Sequence, residues 1–101
     1  MTPKQPDGLI SVLLDTNAEL GDRLDAAMDL GEYDEPAAEQ ALLRIVLDTS
    51  ADDLADEAGN SLSEIWARKE KFDPELVARM HPEARKFFES LNGANGHAVR
   101  Y

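Results

Sequence analysis

Residues 36–48 read Pro-Ala-Ala-Glu-Gln-Ala-Leu-Leu-Arg-Ile-Val-Leu-Asp, and this stretch decides the fold. Asp34 ahead of it is a capping residue type. Pro36 suits a first helical turn, where its missing N–H costs nothing. Ala38, Ala41, Leu42, Leu43, Ile45, Val46 and Leu47 then go nearly all the way round a helix. A helix apolar on most sides is buried between neighbours. The stretch predicts a central helix ending near Asp48, covered on several sides by others.

Working outward, each flank reads as helix. Gly8 to Asp15 predicts one or two turns, after a loose lead-in over 1–7. Asn17 is a good cap for a helix from Ala18 to Leu30, with Gly31 as its left-handed C-terminal residue. Leu20, Leu24, Ala27 and Met28 share its apolar face. Downstream, Ser50 and Asp53 resemble a capping box for a helix from Ala51 to about Glu70. That helix is expected to bury Leu54, Ala55, Ala58, Leu62, Ile65 and Trp66. Gly59 in its interior costs roughly 1 kcal/mol against Ala, so it marks close helix–helix contact. Asp73-Pro74 repeats the cap-plus-proline start for a short helix that His81-Pro82 ends. Glu83 to Leu91 is the last helix, and 92–101 is an Asn- and Gly-rich loose end. Strand-like alternation is absent, so the fold is all-α: a compact stack of about five helices in one domain. Leu42, Ile45, Leu62 and Phe87 are expected to share one core.

Composition narrows the class. The chain has 101 residues, 43% hydrophobic and 31% charged, which suits a globular domain. Ten Lys and Arg stand against 21 Asp and Glu, a net charge of −11. That balance excludes a nucleic-acid backbone as the main partner and disfavours anionic membrane surfaces. There is no Cys, hence no disulfide, no thiolate metal site and no Cys nucleophile. Neither a membrane-length apolar run nor a signal peptide is evident, so a cytoplasmic setting is expected.

An internal repeat runs through the helices. Asp25-Ala26-Ala27-x-x-Leu30-x-x-Tyr33 aligns with Glu57-Ala58-Gly59-x-x-Leu62-x-x-Ile65, 32 residues on. An aromatic residue, an acid and a proline then open the next helix each time, as Tyr33-Asp34-Glu35-Pro36 and Phe72-Asp73-Pro74. Helical-hairpin arrays repeat every 33–47 residues or so, roughly this spacing. Asp22-Arg23-Leu24-Asp25-Ala26-Ala27-Met28-Asp29-Leu30-Gly31 resembles the second helix of a HEAT-type repeat. Residues 41–48 resemble the first helix of the next one. The resemblance implies HEAT-like hairpins whose second helices line a binding surface.

Catalytic chemistry finds no foothold. His81 lies in a helix–helix turn and His97 in the Asn/Gly-rich end. Asp52 and Asp53 are sequence neighbours, which do not face each other on a helix. Metal-ligand spacings, phosphate loops and nucleophile elbows do not occur. The chain is therefore read as a non-enzyme without cofactor or metal.

Acids supply the remaining signal. Asp22, Asp25 and Asp29 form one stripe; Asp53, Glu57 and Glu64 form another, with Asp56 beside them. The HEAT resemblance implies that the two stripes lie side by side on the binding surface. Tyr33 and Trp66 are candidate aromatic anchors at its rim, or else core residues. Glu39, Glu75, Glu83 and Glu89 are placed away from it. Charged stripes are also what solvated helix faces look like. The functional reading is a module, monomeric when free, that occludes a basic protein partner. Small, acidic, cysteine-free helical chains of this kind resemble bacterial immunity proteins, which neutralise toxins. The alternative is a HEAT-like adaptor that recruits a partner without inhibiting it.

Overall fold

A computed structural model describes residues 5–89, all helices and their connections. The helices are α1 Asp7–Leu14, α2 Leu20–Leu30, α3 Pro36–Val46, α4 Asp52–Arg68 and α5 Pro74–Arg79. A sixth, α6, occupies 82–89. Among the described residues there is no strand. The expected loose ends meet this differently. Residues 92–101 lie outside the described part, whereas Gln5 and Pro6 are tied to α1: Gln5 Oε1 accepts the Leu9 N–H at 3.0 Å.

The helices form two antiparallel hairpins laid against each other. In the first, Arg23 Nε near the start of α2 donates to the Leu13 carbonyl near the end of α1, at 3.0 Å. In the second, Glu39 at the start of α3 meets Trp66, Lys69 and Lys71 at the far end of α4. Across the stack α2 and α4 run parallel. Leu20 and Arg23 line one hollow with Ala51 and Leu54, and Gly31 sits against Ser61 and Glu64. That pairing lies close to the 32-residue offset of the repeat. Helix α3 touches α1, α2 and α4 and keeps one open side, Ala37, Gln40 and Arg44.

One core joins all six helices. Leu13, Leu30, Leu42, Val46, Leu62, Ile65, Trp66 and Phe88 are fully buried within it. Burying one such aliphatic side chain stabilises by about 1.5–3 kcal/mol. Leu42, Ile45 and Leu62 are core residues as expected, while Phe87 is half-buried and Phe88 takes the interior position.

Helix ends follow the sequence where prolines mark them. Asp73 accepts from the Glu75 and Leu76 N–H groups and Pro74 opens α5; Pro36 opens α3. Elsewhere side chains do other work. Helix α2 starts at Leu20 with Glu19 at its cap, while Asp15 Oδ1 accepts the Asn17 N–H. Asp34 pairs with Arg68 and caps nothing. Ser50 donates to Asp48 in the preceding turn, so the expected capping box is not formed. Those contacts hold the Asp48 carboxyl below its usual range, the Ser50 hydroxyl contributing most.

Two glycines act through contact. Gly31 is right-handed, with φ −62°, and not left-handed as expected. A Cβ there would lie 2.9 Å from the Ser61 Cβ, so the residue is small because α4 is close. At Gly59 a Cβ would lie 2.6 Å from the Ala84 Cα of α6, which is the close approach the sequence implied. Gly59→Ala is a test of magnitudes. Helix propensity favours Ala by roughly 1 kcal/mol, whereas overpacking costs about 1–3 kcal/mol. The obstructing atom is backbone and cannot swing away, so the variant is expected to melt at a lower temperature. A raised melting temperature would place α6 farther from α4 than described.

Candidate functional site

The seam between α2 and α4 is where the acidic residues gather. Ala26, Ala27 and Leu30 face inward on α2, so its outer side carries Asp22, Asp25 and Asp29, all exposed. On α4 the buried face runs through Leu54, Ala58, Leu62 and Ile65. Asp53 and Glu64 are exposed outside it and Glu57 is half-buried. At 100° per residue, Asp53, Glu57 and Glu64 fall on the side of α4 that borders α2. Asp25 therefore shares one surface with the α4 stripe, whereas Asp29 lies on the α1 flank of α2 beside Gln5 and Leu9.

Ion pairs form elsewhere on the molecule, although among the described residues other acids such as Glu19, Glu32 and Glu75 also go without one. Arg68 pairs with Asp34 at 2.9 Å, Lys69 with Glu39 at 2.9 Å, and Lys86 with Glu83 at 3.0 Å. Among the described residues, Asp22, Asp25, Asp29, Asp53, Glu57 and Glu64 enter no ion pair. Like charges left together repel and lower stability slightly.

Three of the expected site residues need relocation. Asp56 turns toward α6, 3.3 Å from Lys86. Glu83 first, and Asp56 with it, hold that ammonium above its ordinary value. Trp66 is 0% exposed and cannot be a rim anchor. Its ring packs edge-on against Phe88 at 4.9 Å and Phe72 at 6.3 Å, which encloses it. Tyr33 is half-buried beside Gln5, Leu9, Asp29 and Glu32, on the α1 flank of α2 and away from α4.

Sequence reasoning missed Glu39 altogether. It is 7% exposed, and its carboxylate accepts from Trp66 Nε1 at 2.9 Å, Lys69 Nζ at 2.9 Å and Lys71 Nζ. Burial pushes this carboxyl up, but hydrogen bonds and charge from Lys71 and Lys69 outweigh it and hold it below the usual glutamate range. Lys71 reaches back because Glu70 is left-handed, φ 53°, which turns the chain so that the Lys71 N–H bonds the Trp66 carbonyl at 2.9 Å. The one legible signal was a Glu on the apolar side of α3, aligned with Leu42, Leu43 and Val46 at helical spacing.

His81 is also committed to structure. It is 7% exposed, its Nδ1 accepts the Glu83 N–H at 3.1 Å and its Nε2 lies 2.7 Å from Asp52 Oδ1. Its own N–H donates to the Val46 carbonyl at 2.7 Å, fastening α6 to the end of α3. Among the described residues no group of three or more His, Asp or Glu side chains is placed to hold a metal ion, and no helix is long and apolar enough to cross a membrane. Comparison of the chain with protein-family models, with curated proteins and with solved structures finds no match.

Proposed function

We propose that this chain is a non-enzymatic binding module that occludes a basic protein partner, most concretely a toxin-neutralising immunity protein with HEAT-like hairpins. The observation that supports it is the cluster of carboxylates without ion pairs on the α2–α4 surface, while most cations among the described residues are paired elsewhere. Such a field attracts a cationic surface, speeds encounter and repels acidic competitors. Occlusion asks only for a firm complementary surface, which two hairpins on one core provide.

The test is capture from a bacterial lysate, followed by an activity assay of the captured protein with and without the chain. A basic protein whose activity falls on binding is the expected result. Asp25→Lys, Glu57→Lys and Glu64→Lys combined should weaken capture at least tenfold while leaving the circular dichroism unchanged. Reversals at Glu75, Glu83 and Glu89 serve as control; Glu39 is unsuitable because it is buried. Charges more than about 8 Å apart are screened at physiological salt, so the association rate should fall as salt rises. Equal capture by both variants with a salt-independent rate would sink the acidic-surface reading. Capture without loss of activity would make the chain a recruiting adaptor.

A further inference from the structure

An apolar line runs along the same seam. Among the described residues Leu20 and Met28 are the large hydrophobic residues left exposed, at 43% and 51%, and half-buried Leu24 stands between them. All three were expected to face the core; the structure turns Leu20 and Met28 outward and keeps Leu24 packed against the core from its edge. They are four residues apart in succession, so they line up along α2 over about 12 Å. Leu20 and Gly31 both lie on the edge of α2 that faces α4, so the line starts on the seam and turns outward by about 40° at each step toward Met28. At its Leu20 end a hollow of about 370 Å³ opens, floored by Ile45 and Leu54 and rimmed by Asp48, Asp52 and Asp53. Arg23 also lines it, with its Nε already donating to the Leu13 carbonyl.

Resting on the acidic-surface reading, we infer that the α2–α4 seam seats a basic amphipathic helix of the partner. Its apolar positions, spaced i, i+4 and i+8, lie along Leu20, Leu24 and Met28, with one side chain entering the hollow. Lysines or arginines on both flanks of that helix meet Asp25 on one side and Asp53, Glu57 and Glu64 on the other. Charge selects this occupant. A second copy of the chain would set the same carboxylates against each other, and an anionic lipid surface would be repelled.

Two synthetic peptides of about 18 residues, long enough for helix, decide the matter. Both contain the same leucines, lysines and arginines; one is amphipathic and the other has its leucines scattered. Titrations followed by peptide anisotropy and by amide chemical shifts should show the amphipathic peptide binding at least tenfold tighter. Shifts should centre on residues 20–31 and 53–64. Leu20→Gln with Met28→Gln should erase that preference, and circular dichroism with Trp66 fluorescence confirms that the variant is folded. Equal binding of both peptides overturns the amphipathic-helix inference and leaves the acidic surface standing. Failure of both to bind overturns the two together. Concentration-dependent shifts at Leu20 and Met28 without peptide would assign the seam to a second copy and also overturn it.

Discussion

Trp66→Ala is expected to lower stability by about 3–5 kcal/mol, the range for deleting a buried large aromatic. The ring is wholly enclosed, with Phe72 and Phe88 edge-on to it. Removing it leaves a cavity at the junction of α3, α4 and α6 and strips Glu39 of a donor. Domains of this kind hold about 5–15 kcal/mol in total, so the loss is a large fraction. Chemical denaturation followed by far-ultraviolet circular dichroism measures it. The result separates the buried Trp66 from the rim anchor once considered for it. A rim residue would leave the midpoint unchanged and weaken only binding, and that outcome would contradict the packing described.

Glu39→Ala is the second large effect. Breaking a fully buried ion pair costs about 3–5 kcal/mol. Here Lys69 and Lys71 are partly exposed, 29% and 47%, and can regain water. The indole N–H of Trp66 cannot, and an orphaned buried donor costs about 1–3 kcal/mol. That smaller range is the expected loss, read from denaturation midpoints. Glu39→Gln should lose less, because its amide oxygen still accepts from the indole. The acid side follows from the lowered pKa of this carboxyl. The unfolded chain binds the proton more readily than the folded one, so the contribution of Glu39 is complete above the ordinary glutamate range. It is lost as pH falls through the lower, folded value. The stability gap between the wild type and Glu39→Gln should therefore narrow on acidification below about pH 4. A gap that stays constant would show that the lysine contacts are not formed in solution.

Some of the candidate surface was legible in one dimension. Asp22, Asp25, Asp29, Asp53, Glu57 and Glu64 are exposed or half-buried as their helical spacing implied, because a carboxylate without partners is held at the surface by its hydration. Asp56 is exposed as well and Trp66 is buried with the apolar face of its helix, but the partners of both were not legible. Their neighbours, Lys86 on α6 and Glu39 on α3, lie 30 and 27 residues away along the chain.

By itself the sequence determined that the chain is helical, where most helices lie, and where prolines and Asp73 start them. Those are local matters of periodicity, missing N–H groups and caps within a few residues. Gly59 was readable too, since a mid-helix glycine has a cost that only close contact offsets. Tertiary structure decided which face of each helix turns inward. Helix α2 is gripped from two sides, by α1 and α4, and the small Ala26, Ala27 and Gly31 permit the closest approach. Its larger Leu20 and Met28 are left outside, although hydropathy alone points them in. Glu39 is buried for the same kind of reason. The lysines and indole that make its burial tolerable come from the far end of α4, and only the folded chain brings them together.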